Sequence, residues 1–281
     1  MTGHAAQRVA SRILALPGAE QRLAVAYFKN LVEERRAEMG PPAIDAVTMA
    51  RDFGLDPDPW QSDLLWSTSD RILLNCSRQT GKSTITALLA VHTAHFEARA
   101  LVLLLSPTLR QSQELFKKAL DVHRSLDHPV ATEAESALRL ELKNGSRIIS
   151  LPGKEHTVRG YSGVRLLAVD EAARVPDDLY LSVRPMLAVS SGRLIALSTP
   201  FGTRGWWYEA WRSDEPWERY KAAAVDCPRI PPEFLAEERR AMGEWWFAQE
   251  YECEFLDAET QPFGREDVDR AFEEEVEAWE L

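Results

Sequence analysis

The 281-residue chain is poor in cysteine: Cys76, Cys227 and Cys253 are an odd number, with no C-x-x-C pair among them. That excludes a disulfide framework and a thiolate zinc site, and predicts reduced thiols in a reducing compartment. No run of 18 apolar residues exists, which excludes a membrane-spanning helix. The N-terminus lacks the basic, apolar and small-residue order of a secretory signal, so no secretion is expected. Positive charge is also scarce. Thirty-three Lys and Arg stand against 44 Asp and Glu, a net −11. A free-standing DNA-binding module is usually basic. However, residues 266–281 hold eight acids and one arginine and so carry −7 of that charge. The body is close to neutral and has room for a local basic patch. Composition therefore neither supports nor excludes nucleic acid.

What is present is a phosphate-loop pattern. The apolar run Ile72-Leu73-Leu74 leads into Asn75-Cys76-Ser77-Arg78-Gln79-Thr80-Gly81-Lys82-Ser83-Thr84, and a helical pattern runs out from Ile85 to Phe96. A strand, a tight loop and a helix in this order direct backbone N–H groups and a helix dipole at an anion. Lys82 would reach the β- and γ-phosphates, and the Ser83 hydroxyl would sit on Mg²⁺. The pattern departs from G-x-x-x-x-G-K-[ST] in having Cys76 at the first glycine position. It also adds Arg78, within reach of a phosphate. The bland alternative for Gly-Lys-Ser alone is an ordinary helix start with an exposed lysine.

A second anchor is Leu166-Leu167-Ala168-Val169-Asp170-Glu171, a buried-strand pattern ending in two acids. Asp170 would hold Mg²⁺ through water, and Glu171 would orient the attacking water. A third is Leu194 to Leu197, a strand followed by Ser198-Thr199-Pro200. Hydroxyls at that tip would sense the γ-phosphate; their alternative is turn or capping chemistry. Upstream, Gln61 follows the stiff turn Asp56-Pro57-Asp58-Pro59-Trp60. Its amide both donates and accepts and so suits the edge of adenine, or else it is a surface glutamine beside a core tryptophan.

The remaining pattern fills in the architecture. Residues 5–39 read as a helical hairpin, and Thr48 to Leu55 as a short helix. Residues 100–105 form a continuous apolar strand, followed by a helix from Leu109 to Arg124. Leu138 to Leu142 and Arg147 to Leu151 flank Asn144-Gly145, which predicts a hairpin with a type I′ turn. Pro176 to Leu187 reads as a helix. Between Phe201 and Glu252, six tryptophans (206, 207, 211, 217, 245 and 246) suggest either a small helical core or a base-stacking surface. Tyr220 to Val225 is a candidate strand, and Glu233 to Met242 and Glu244 to Glu252 are candidate helices. The fold class expected is α/β: a mostly parallel P-loop NTPase sheet flanked by helices, with a Trp-rich helical lid. The expected divisions are 1–55 (helical), 56–203 (ATPase core), 204–256 (lid and linker) and 257–281 (acidic tail).

Together these residues resemble the large terminase subunit of tailed bacteriophages, the motor ATPase that packages viral DNA. Four stretches carry the resemblance: Ser77 to Ser83, the Leu-Leu-Ala-Val-Asp-Glu strand, Ser198-Thr199-Pro200, and Gln249-Glu250-Tyr251-Glu252-Cys253-Glu254-Phe255. It runs from about Asp56 to Arg270. An Arg-Gln pair inside the phosphate loop is typical of that family and accounts for the missing first glycine. The resemblance implies a RecA-like ASCE fold, ATP and Mg²⁺ as ligands, and hydrolysis with Glu171 as the catalytic carboxylate. It implies Gln61, Ser77, Gln79, Thr80, Gly81, Lys82, Ser83 and Thr84 around ATP. Arg78 is the candidate for charge stabilisation in cis. Arg159, in Thr157-Val158-Arg159-Gly160, is the candidate in trans, with Arg165 as its alternative. Ser198, Thr199 and Pro200 would couple hydrolysis to the lid.

The partners implied are double-stranded DNA, a portal protein, a small terminase subunit and other copies of the chain in a ring, with a monomer expected in isolation and no membrane. The place implied is the host cytoplasm. Lys154, Arg110, Lys117 and Arg204 are candidate phosphate contacts for DNA. The family's C-terminal nuclease domain would begin about where this chain stops, so an ATPase half without nuclease activity is expected. Glu266, Asp267 and Asp269 lack the strand context of a two-metal site. A DEAD-type helicase is the nearest rival reading, through Asp170-Glu171-Ala172-Ala173. A non-catalytic nucleotide-binding assembly module is a rival from another class.

Overall fold

A computed structural model describes residues 44–127, 129–153 and 160–257, together with the single positions 17, 18, 23 and 27. The expected hairpin over 5–39, Arg159 with Lys154, and the acidic tail lie outside these residues.

Helix α1 (Ala46–Asp52) is capped by Asp45, whose carboxylate accepts from the Val47 and Thr48 N–H groups. Helix α2 (Pro59–Trp66) begins inside the stretch that reads as a stiff turn. Proline fits its first turn because it has no N–H to leave unpaired. Strand β1 (Arg71–Cys76) enters the phosphate loop and α3 (Lys82–Phe96) leaves it. Then follow β2 (Leu101–Ser106), α4 (Leu109–Ser125), β3 (Thr132–Ser136), β4 (Arg139–Leu142), β5 (Arg147–Pro152) and β6 (Val164–Asp170). The last part holds α5 (Asp177–Val183), β7 (Arg193–Ser198), α6 (Gly205–Arg212), β8 (Glu218–Ala222), α7 (Pro232–Met242) and α8 (Glu244–Tyr251).

The strands form one sheet in the order β3-β4-β5-β2-β6-β7-β1-β8. The run from β5 to β8 is parallel, and β3 and β4 add antiparallel pairs at one end. Successive side chains of a strand face opposite sides, and the two faces bury separate clusters. Ile72, Leu74, Val102, Leu104, Leu166, Ala168, Ile195 and Leu197 face α1, α3 and α4. Leu73, Leu103, Leu105, Leu167, Val169, Leu194 and Ala196 face α5 and α6. Burial on both sides explains why these strands read as continuous apolar runs.

One expectation is corrected by this arrangement. The Asn144-Gly145 turn is not type I′, because only Gly145 has a positive φ, +82°. The Gly145 N–H bonds the Leu142 carbonyl and the Leu142 N–H bonds the Ser146 carbonyl, a turn closed by a glycine bulge. Asn144 is occupied elsewhere, donating to the carbonyl of Ala94 at the end of α3. The Trp-rich aromatic cluster is present, and part of it packs on the sheet. Trp206, Trp207 and Trp217 are buried against the sheet in the same cluster as Leu73 and Val169. Trp206 stacks on Tyr180 at 3.8 Å and donates its ring N–H to the Val175 carbonyl. The helical unit that follows is built on Ala224, Phe247 and Tyr251. Contacts also run across positions 55/56 and 203/204, the expected divisions. Helix α1 shares the core of α3, and β8 pairs with β1.

Candidate functional site

All six parallel strands end on the same edge of the sheet, the place where an open α/β sheet presents a ligand crevice. Strand β1 delivers the phosphate loop there and β6 delivers Asp170. Strand β7 lies between them and brings Ser198 beside Asn75 and Leu197 beside Asp170. The three anchors read from the sequence are therefore brought together at one edge.

The loop is braced from within. The Thr80 hydroxyl donates to the Ser77 carbonyl at 2.9 Å, and the Lys82 ammonium lies 3.4 Å from the same oxygen. Lys82 is buried, while Ser83 and Thr84 are half-buried on the first turn of α3. Gly81 has φ +87°, and a Cβ there would stand 3.0 Å from Gln61 Nε2. The loop thus needs glycine for both backbone angle and space. Gln79 adds a second left-handed turn at φ +63°. Cys76, at the first glycine position, ends β1 with its side chain fully buried in the apolar cluster, so it faces away from the loop's mouth. Burial also raises its thiol pKa well above the ordinary value.

Gln61 is 1% exposed, and its amide is already used at both ends. Its oxygen accepts from the Asp58 N–H at 2.9 Å and its nitrogen donates to the Thr80 carbonyl at 3.0 Å. The structure thereby makes it a brace of the phosphate loop, with one N–H and one lone pair remaining for any base.

Asp170 is buried and, among the described residues, accepts from the Glu171 N–H alone, at 3.1 Å. Burial first, and then the neighbouring Glu171, push its carboxyl up to about 6, against the pull of Lys82. A buried carboxylate short of partners beside a lysine and a hydroxyl is a donor set that fits a hard divalent cation carrying phosphates. Among the described residues no group of three or more His, Cys, Asp or Glu would hold a metal alone. Glu171 itself adopts φ 50°, ψ 44°, a costly conformation for a non-glycine residue and one met at functional sites. Its carboxylate lies 3.8 Å from Arg174, whose guanidinium covers the Phe201 ring at 4.1 Å.

Several contacts were not foreseen. Arg78 is held by Glu250 of α8: Nε to Oε2 is 2.6 Å, and the Arg78 N–H also reaches the Glu250 carbonyl at 3.3 Å. Asn75 donates to the Cys253 carbonyl, and Gln249 accepts from the Gly202 N–H just past Pro200. Ser198 and Thr199 are buried, the Ser198 hydroxyl donating to the Thr199 carbonyl at 2.7 Å. The alternative arginine, Arg165, sits at the start of β6, away from the edge where that strand ends in Asp170. It pairs with Glu97 and the Ser190 carbonyl, so it is engaged within its own chain. Of the candidate DNA contacts, Arg110 and Lys117 are exposed two turns apart on α4, and Arg204 is exposed ahead of α6.

Comparison with known proteins identifies the family. Residues 73–270 match the family described as terminase large subunit, T4likevirus-type, N-terminal. The chain is 26% identical over 253 residues to the terminase large subunit of Thermus virus P23-45, covering 77% of this chain and 52% of that protein. It therefore spans about half the length of the curated relatives it matches. Its fold is similar to the large terminase ATPase domain of Thermus phage P74-26, with a TM-score of 0.65, 25% identity, and coverage of 74% of this chain and 97% of that one. The large terminase of a thermophilic bacteriophage, solved in complex with ADP, shares the fold at a TM-score of 0.61 and 12% identity, over 71% of this chain and 54% of that one. The chain belongs to the terminase large subunit family, and what it carries is the family's N-terminal ATPase portion.

Proposed function

We propose that the chain is the ATP-hydrolysing motor portion of a machine that drives double-stranded viral DNA into a procapsid. The observation that carries this reading is the meeting of the Gly81-Lys82-Ser83 turn and the Asp170-Glu171 pair at one sheet edge, with β7 between them. Phosphoryl transfer depends on positioning and charge stabilisation. Loop N–H groups and Lys82 bind the phosphates. Ser83 and Asp170 would hold Mg²⁺, which neutralises phosphate charge when bound. Glu171 orients water for in-line attack. Arg78, on release from Glu250, adds positive charge from the same chain. Arg159 supplies a second arginine to a neighbour's site in a ring.

Ser198, Thr199 and Pro200 pass the state of the site to α8 through Gly202 and Gln249. The phosphate-directed grip on DNA needs no sequence reading, and several weak patches act together only once a ring forms. A portal protein and a small terminase subunit complete the assembly in the host cytoplasm. Among the described residues no helix is long and apolar enough to cross a membrane.

The test is phosphate release against protein concentration, for the wild-type chain, Glu171→Ala, Arg159→Ala and a mixture of the two variants. A specific rate that climbs with concentration, falls about 10²–10⁴-fold in each variant and partly returns on mixing is the expected result. A concentration-independent rate that survives Arg159→Ala removes the trans role. Nucleotide binding without hydrolysis in any condition replaces the motor with a nucleotide-binding assembly module.

A further inference from the structure

Outside the residues assigned above, one chain of contacts ends on the phosphate loop. Arg229, in the turn between β8 and α7, grips Asp58 with both terminal nitrogens, at 2.8 and 2.7 Å. Asp58 precedes α2 and is 7% exposed. A carboxylate that deep needs a charged partner, and a two-point arginine fork is the strongest form. The backbone N–H of the same Asp58 is held by Gln61 Oε1, and Gln61 Nε2 holds the Thr80 carbonyl. In a trans peptide the carbonyl and the following N–H point in opposite directions. Turning the Thr80 oxygen toward Gln61 therefore turns the Gly81 N–H away from it, free for an anion. The loop packs closely on the amide here, since a Cβ on Gly81 would stand 3.0 Å from Gln61 Nε2.

We propose that Arg229 is a positioning residue for the nucleotide, fixing the phosphate loop through Asp58 and Gln61. This rests on the nucleotide-binding reading above. It also makes the α7–α8 unit part of the binding site at a distance: the unit reaches the loop by Glu250 on one side and by Arg229 on the other. Because the relay ends on a backbone group facing phosphate, its loss weakens every ligand bearing the phosphate chain, whatever its base.

The experiment measures dissociation constants of ATP, GTP and inorganic tripolyphosphate for the full 281-residue chain. It compares wild type, Arg229→Ala, Arg229→Lys, Asp58→Asn and the Arg229→Ala/Asp58→Asn double variant, with melting temperature read in parallel. Arg229→Ala is expected to weaken all three ligands by a similar factor, about tenfold for one charge-assisted contact. Lysine restores part of it, and the double variant is no worse than the worse single one. A lower melting temperature with unchanged affinities would reduce Arg229 to a structural pair. Loss confined to ATP, with tripolyphosphate unaffected, would make it a base contact and overturn the relay. Failure of the wild type to bind any of the three would reject the nucleotide reading and this inference with it.

Discussion

Arg78, inside the phosphate loop, is bonded by side chain and by backbone to Glu250, 172 residues further along the chain. A carboxylate and a phosphate compete for one guanidinium, since both present oxygens to the same fork. Glu250→Gln is therefore expected to tighten ATP binding by about threefold, a gain of roughly 0.6 kcal/mol from one partly exposed pair. The gain disappears when Arg78 is also alanine. Titration calorimetry on the two single variants and the double variant measures it; an equal gain without Arg78 would show that the pair does not compete with phosphate.

Gln249, the neighbour of Glu250, is 1% exposed and accepts from the Gly202 N–H, while its own amide nitrogen has no partner among the described residues. Methionine there removes an unpaired buried donor but leaves the half-buried Gly202 N–H without its acceptor, and the two effects offset to within about 1 kcal/mol. Gln249→Met is expected to keep the melting temperature within about 3 °C of wild type. It cuts the link between α8 and the tip of β7, so stimulation of hydrolysis by added DNA falls while basal hydrolysis persists. Unchanged DNA stimulation would remove Gln249 from the coupling path.

Trp207 is 1% exposed and sits among sheet residues. Trp207→Ala is expected to cost about 3–5 kcal/mol, the range for deleting a buried aromatic. Because its neighbours include β1 and β6 residues, the whole body loses stability and nucleotide binding falls with it. Hydrogen exchange that loosened only residues 224–251 would contradict this placement.

His95 and His123 share a hydrogen bond of 2.9 Å behind the sheet, and His123 continues to Thr132. Burial, with the positive charge of His123 and His92 as lesser causes, lowers His95 to about 3. An unfolded histidine titrates near 6.5. Below that pH the unfolded chain takes up a proton that the folded chain refuses. The stability His95 contributes is thus complete above about pH 6.5 and drains away as pH falls toward 3, by up to about 1.4 kcal/mol per pH unit. Urea midpoints from pH 8 to pH 5 check this against His95→Leu, whose curve should be flatter by that amount; parallel curves would refute it.

Much of the site was legible in the sequence because its chemistry is local. Gly81, Lys82 and Ser83 are adjacent, Asp170 and Glu171 are adjacent, and each set follows a strand whose two-sided burial leaves an unbroken apolar run. Period and adjacency survive in one dimension, so the parallel sheet and its edge could be inferred before any contact was known. The N-terminal hairpin, the trans arginine and the acidic tail remain expectations drawn from sequence alone.

Tertiary structure decided which residues constrain that edge. Glu250 meets Arg78, Arg229 meets Asp58, and Cys253 meets Asn75 across sequence separations of 171 to 178. No propensity or spacing encodes such pairs; they exist because β8 adds to the sheet beside β1 and returns the chain to the loop. The connection between β7 and β8 lays Trp206, Trp207 and Trp217 on the sheet, since apolar area is buried wherever the fold brings it and not where it clusters in sequence. Only the fold shows that Gln61 also braces the phosphate loop, bonding Asp58 and Thr80, because a buried amide satisfies its own hydrogen bonds first.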